Sequence, residues 1–140
     1  MKNLLLLLLL LFLIPNLVMA EKLMLVCEGE KVIKIGGDEN LYKEKVAAII
    51  SDEFMEWDGR RFKRDYQPRD ELGNSYSESY RKDDKEIIFW VRMGEGGEPK
   101  VSIDGNINRL TGEFTYHSFL FKPKIFTIFD GSCKKSERAF

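Results

Sequence analysis

Val46-Ala47-Ala48-Ile49-Ile50-Ser51-Asp52-Glu53-Phe54-Met55-Glu56-Trp57-Asp58-Gly59-Arg60 is the stretch whose reading decides the fold class. Its first part admits two readings. Tyr42, Val46, Ile49 and Ile50 fit one face of a helix. Val46 to Ile50 also reads as a strand, with Ser51-Asp52-Glu53 as a turn and Phe54 to Trp57 as the next strand. Trp57-Asp58-Gly59-Arg60 favours strands, because Asp-Gly tolerates the positive φ angles that a two-residue hairpin loop needs. Arg61 to Tyr66 is then expected as the returning strand.

Towards the N-terminus, Leu23 to Cys27 is a short apolar run ahead of Glu28-Gly29-Glu30. Lys31 to Ile35 alternates polar and apolar and stops at Gly36-Gly37, so the pair reads as a first hairpin. Towards the C-terminus, Gln67 to Asp84 is the most polar stretch. It is expected to leave the core, with a short strand around Tyr76 to Tyr80. Glu86 to Met93 is a buried strand, with Ile87, Ile88, Phe89, Trp90 and Val91 in a row. Gly94 to Pro99 ends it. Lys100 to Ile103 and Ile107 to Leu110 follow, with a polar turn around Asp104-Gly105 between them. After Thr111-Gly112 come Glu113 to Phe121, the turn Lys122-Pro123-Lys124, and a last apolar strand, Ile125 to Phe129. The sum is all-β: an antiparallel meander of about eight or nine short strands, closed as a small barrel or folded as a sandwich.

Met1 to Ala20 has the three parts of a cleavable secretory signal: Lys2, the apolar run Leu4 to Ile14, and Val18-Met19-Ala20 at the cleavage site. The apolar run is short of the roughly 20 residues of a membrane span, and Asn16 interrupts it. Lipidation at Cys27 wants a small residue before the cysteine, and Val26 stands there. The expected mature chain is one domain, residues 21–140, in the periplasm or outside the cell. One of the 22 basic residues and none of the 23 acidic ones lie in the signal, which leaves a net charge of −2. Such a balance gives no electrostatic case for nucleic-acid binding, and no further apolar run would span a membrane. The two cysteines, Cys27 and Cys133, are expected to form one disulfide in an oxidising compartment, rather than remain free thiols. It would close a loop of about 100 residues, worth up to ~4.7 kcal/mol in the chain-entropy view.

Ile107-Asn108-Arg109-Leu110-Thr111-Gly112-Glu113-Phe114, with Gly131-Ser132-Cys133 further on, resembles a pattern in small exported bacterial proteins of unknown function. Those carry an Ile-Asp-Arg-x-Thr-Gly turn before a strand, and a late Gly-x-Cys paired with an early cysteine. Asn108 stands where the aspartate is usual. The resemblance covers roughly a quarter of the mature chain; it implies a β fold and the disulfide, and no activity. Ser77 to Tyr80, Phe89-Trp90 and the cysteine pair also resemble, in order, features of small β-barrel lysozyme inhibitors, although the glycine-rich loop of those proteins is missing.

Several residue groups invite a chemical reading. Asp104, Asn106 and Asn108 have the first spacings of a calcium loop, but Arg109 and Thr115 stand where glycine and glutamate are required. Arg60, Arg61, Lys63 and Arg64 surround Phe62, as in sites for polyanions; in a strand, Phe62 can instead face inward with its neighbours in solvent. His117 is the single histidine, and Ser118 beside it would point to the opposite face. Glu53, Glu56, Asp83, Asp84 and Glu86 offer carboxylates, with nothing to select a catalytic pair. Phe140 ends the chain as in outer-membrane barrels, but Arg138, Ser136 and Lys134 do not make a lipid-facing strand.

The expectation is therefore a non-enzymatic binding or accessory protein of the cell envelope, without metal or cofactor. Its partner would be a small ligand or an envelope protein. A small ligand would enter a barrel lined by residues such as Phe89 and Trp90. The residues put forward as contacts are Trp57, Arg60, Arg61, Arg64, Tyr80 and Trp90. The alternative is a secreted inhibitor of an enzyme such as lysozyme, using Gln67 to Asp84 as its contact loop; a small hydrolase is the third class.

Overall fold

The computed structural model describes residues 22–67 and 74–136. The segment expected to be a secretory signal, Phe140 and residues 68–73 of the polar stretch lie outside the described residues. Nine strands follow in chain order: β1 (Leu23–Ile35), β2 (Asp38–Ile50), β3 (Phe54–Trp57), β4 (Arg60–Lys63), β5 (Asn74–Lys82), β6 (Glu86–Glu95), β7 (Glu98–Asn108), β8 (Glu113–Phe121) and β9 (Lys124–Lys135). All pairs are antiparallel, in the order β4-β3-β2-β1-β9-β8-β7-β6-β5. The two ends of this sheet meet where Tyr66 and Glu78 exchange two backbone hydrogen bonds of 2.9 Å. The result is a nearly closed barrel, with no helix among the described residues.

Trp57-Asp58-Gly59-Arg60 makes the hairpin turn its sequence requires, with φ of 48° at Asp58 and 76° at Gly59. The ambiguous stretch before it is strand throughout. Val46, Ala48, Ile50, Met55 and Trp57 are buried at every second position, the period of a strand with one face on a core.

Four expectations are corrected. Leu23 to Ile35 is one strand and not a hairpin. Gly29 sits in the middle of it because a Cβ there would lie 2.0 Å from the carbonyl oxygen of Asp130 and 2.7 Å from the Cα of Gly131. Two facing glycines let β1 and β9 approach closely where other residues would part them. Asp104-Gly105 is likewise mid-strand in β7. The ring of Phe89 lies over Gly105, with Cζ 2.0 Å from where a Cβ would stand. Half of the polar stretch, Asn74 to Lys82, is β5, a wall of the barrel and not an excursion from it. Its serines are spaced by Tyr76, Glu78 and Tyr80, which turn inward, and the buried Glu78 carboxylate accepts a 3.0 Å bond from the Tyr76 hydroxyl. The strand returning from Gly59 is shorter than expected, because Arg64-Asp65 forms a turn with φ of 46° at Asp65.

Cys27 and Cys133 face each other in register across β1 and β9 and are disulfide-bonded. The bond ties the first strand to the last. Their meeting is a consequence of the topology, since β1 and β9 are neighbours in the sheet.

The interior is filled with aromatic side chains that touch across the barrel. Trp57 of β3 lies 5.6 Å from Phe89 of β6, 5.3 Å from Phe114 of β8 and 6.2 Å from Phe129 of β9, between ring centroids. Phe62 of β4 lies 4.8 Å from Phe89, and Phe114 lies 4.8 Å from Phe129. Trp90 is the neighbour of Phe89 on β6 and points the other way. It sits half-buried on the outer wall with Arg92 over its ring at 5.6 Å, and does not line the interior.

Candidate functional site

The barrel wall is uneven. The β3–β4 hairpin is short and stops where Trp57 pairs with Ala48. β2 runs on from Ala47 to Asp38, and β1 runs on beside it. A side notch therefore opens above the β3–β4 turn, into the top of the core. It holds about 120 Å³ and is lined by Lys31, Trp57, Asp58, Arg60 and Tyr116, among others.

Strand parity puts these groups together. Lys31 is on the inward face of β1, two positions beyond Gly29, at the level where the apolar core ends. Its ammonium lies 2.7 Å from the Glu44 carboxylate, also inward on β2. Tyr116, inward on β8, stacks on Trp57 at 5.8 Å with ring planes 11° apart. Burial pushes the Tyr116 phenol above its ordinary range, against a hydrogen bond with Ser118 and the nearby positive charges of Arg60 and Lys31. It therefore stays a neutral donor at physiological pH. Arg60 holds its guanidinium 5.5 Å from the Phe62 ring centroid.

The notch thus offers an indole wall, a phenol and two cations, offset by Glu44 and Asp58. A volume of about 120 Å³ is roughly four waters at about 30 Å³ each. It suits the tip of a partner side chain, a carboxylate or an amide, better than a whole drug-sized ligand.

The structure brings together two of the six residues singled out in the sequence, Trp57 and Arg60. The other four lie apart. Tyr80 is buried at the opposite end of the barrel, where its hydroxyl donates a 2.7 Å bond to the Ser51 carbonyl. Burial, with help from the nearby Asp52 charge, pushes its phenol up to about 12. Arg61 is exposed and stacks 4.1 Å over the Phe54 ring beside Glu56. Arg64 is exposed in the turn after β4, and Trp90 is on the outer wall. Phe62 is fully buried between exposed Arg61 and Lys63, so the basic run is a solvated strand with one inward anchor. Lys31, Glu44 and Tyr116 were missed. Each is a lone polar or phenolic residue in an alternating strand, and only the pairing of β1, β2 and β8 around the wall brings them to one place.

The remaining chemical readings separate as well. Asp104 accepts from Arg92 at 2.6 Å, the Asn106 amide donates to Glu86 at 3.0 Å, and Asn108 accepts from the backbone of Leu110 and Thr111. Each has a partner within the chain, and no group of three or more metal-ligating side chains occurs among the described residues. His117 is exposed on the outer wall near Phe126, on the face opposite Ser118. Glu56 pairs with Arg61, Glu86 with Arg81, and Asp83 accepts from the backbone of Lys85 and Glu86 in a tight turn.

No protein-family model, curated protein or solved structure matches this chain.

Proposed function

We propose that this chain is an exported, non-enzymatic binding protein of the cell envelope that recognises a partner with its wall and carries nothing inside. The observation that supports this most is the interlocked interior. Trp57, Phe62, Phe89, Phe114 and Phe129 occupy the space in which a ligand-carrying barrel holds its cargo. The disulfide fits an oxidising compartment, and the N-terminal segment has the composition of an export signal. Within the wall, the notch is where aromatic surface and polar groups converge, the usual marks of a recognition point.

Native mass spectrometry of the protein recovered from the periplasm tests the reading. The expected species is the disulfide-bonded chain beginning at Glu21, without a bound small molecule. A stoichiometric co-purifying lipid or metabolite that leaves on activation would overturn it, since the barrel would then have to open to hold one. Hydrolysis of a glycan or ester that is lost when one acidic residue is changed would overturn the non-enzymatic part.

A further inference from the structure

The upper half of β2 is an edge. β3 pairs with β2 only at Ala48 to Ile50, and among the described residues no strand pairs with Asp38 to Lys45 on that side. The Gly36-Gly37 turn fixes which backbone groups are left over. Ile35 and Asp38 flank a two-residue hairpin loop and so form a hydrogen-bonded pair. Even-numbered residues of β2 therefore direct N–H and C=O at β1, and odd-numbered residues direct theirs at the open edge. The bond from the Asp58 N–H to the Ala47 carbonyl, 3.0 Å, lies on that outer side and agrees. Glu39, Leu41, Lys43 and Lys45 thus present unpaired backbone groups, and Leu41 is 62% exposed. Free edges of this length are ordinarily blunted, because they pair with other strands.

We infer that this edge pairs with the same edge of a second copy, antiparallel about a two-fold axis at Leu41. The inference does not depend on the binding reading above. An isologous pairing sets residue i opposite residue j and j opposite i. Centred on Leu41, it sets Glu39 against the partner's Lys43, Leu41 against the partner's Leu41, and Lys43 against the partner's Glu39. All three are residues whose backbone groups face outward, so each contributes reciprocal hydrogen bonds. Their side chains share the outer face of the sheet, where opposite charges in register stabilise a pair.

The neighbouring strands extend the match. Lys34 is opposite Glu39 on β1 and 2.9 Å from it, and Glu30 is opposite Lys43. Across the joined sheets the row therefore reads Lys34, Glu39, the partner's Lys43, the partner's Glu30, with alternating sign. The central row is apolar: Ile128 and Val32 lead to Leu41, and the partner repeats them in reverse. On the inner face, the partner's Asp38 comes opposite Glu44, whose charge Lys31 already balances at 2.7 Å.

Sterics choose this register. It brings the partner's Gly37 to Lys45 and the partner's Gly36 to Val46, just short of Ala47, whose carbonyl Asp58 occupies. Moving the centre one residue on, to Tyr42, would drive that tip into the β3–β4 turn and set Leu41 against lysine. Moving it back to Asn40 would set Glu39 against leucine and lose the charge match. The chosen register also lays the partner's hairpin tip along the rim of the notch, which Val46 helps to line.

Charge reversal with mixing provides the test. Glu39→Lys and Lys43→Glu are made separately in the full chain, and the exported, disulfide-bonded proteins are run by sedimentation velocity up to roughly 0.5 mM, a range in which small interfaces associate. The wild type is expected to form a concentration-dependent dimer. Each variant alone sets like charges face to face twice, and its dimer should weaken about tenfold or more. Mixed in equal amounts, the two variants regain both opposite pairs and should form a heterodimer about as stable as the wild-type dimer. Leu41→Arg, at an exposed position, should give a folded monomer. A wild type that stays monomeric throughout would overturn the inference. So would variants that dimerise as well alone as the wild type, or a mixture that gains nothing over its components.

Discussion

Gly105→Ala puts the packing of the barrel to its most direct test. A Cβ at position 105 would stand 2.0 Å from Cζ of Phe89 and 2.4 Å from both its Cε atoms. Carbon atoms rest at about 3.5–4.0 Å, so the ring would have to retreat by roughly 1.5 Å. Its retreat is blocked by Phe62, 4.8 Å away, and Trp57, 5.6 Å away. The cost should sit near the top of the range for overpacked cores, about 3 kcal/mol. Loss of glycine's freedom in the unfolded chain offsets only about 0.5–1 kcal/mol of it. Phe89→Leu alone should cost roughly 1–2 kcal/mol, being milder than truncation to alanine. In the double variant the alanine methyl takes up space that the ring has left, so the pair should cost about 1–2 kcal/mol in all, a coupling of about 2–3 kcal/mol. Urea unfolding with the disulfide intact gives the four stabilities from midpoints at constant m-value. If the double variant equals the sum of the singles to within about 0.5 kcal/mol, the ring does not rest on Gly105.

Three further predictions are simpler. Cys27→Ala with Cys133→Ala should lower stability by at most ~4.7 kcal/mol while leaving the far-ultraviolet circular dichroism of the folded state unchanged, because the register of β1 and β9 also rests on backbone pairing. The phenols of Tyr80, Tyr76 and Tyr116 are raised by burial, Tyr80 to about 12. A raised folded pKa gives stability that is whole below the unfolded value near 10 and is lost as pH climbs towards 12; Tyr80→Phe should make that decline shallower in unfolding curves between those limits. Asn108→Ala should cost about 1 kcal/mol, because the Leu110 and Thr111 amides lose their acceptor. Asn108→Asp should be near neutral by thermal melting, since a carboxylate accepts the same two bonds.

Local rules read well in this sequence, and long-range ones did not. The Asp58-Gly59 turn, the apolar run from Ile87 to Val91 and the paired cysteines follow from turn chemistry, from apolar runs and from the oxidising compartment that the N-terminal segment leads one to expect. Where glycine or serine interrupts a strand, the same rules mislead. Gly29 and Gly105 look like turns because a glycine's usual use is to bend a chain. Here each makes room, one for the β9 backbone and one for a ring arriving from β6, and neither visitor is near in sequence. β5 reads as no more than a short strand within a polar excursion, because every second residue is a serine or a charge. Its inward positions, Tyr76, Glu78 and Tyr80, are polar enough to hide the alternation. Trp57 and Arg60 of the notch were legible because they flank a strong turn. Lys31, Glu44 and Tyr116 join them only once the wall has curved.

The bond between Cys27 and Cys133 makes the chain between them mechanically a closed loop, with the segments on either side as tails. Tension applied to the tails, as by a translocating motor or a tethered neighbour, runs from β1 through the sulfur atoms into β9 and never enters the chain between the two cysteines, which stand 106 positions apart in sequence. Only the strand ends outside the cysteines, Leu23 to Val26 and Lys134 to Lys135, can be peeled away. A backbone cut anywhere inside the loop leaves both pieces covalently joined. The molecule would then resist being drawn out by its ends or lost by a single cleavage, whatever the free energy of its fold, for as long as its surroundings stay oxidising.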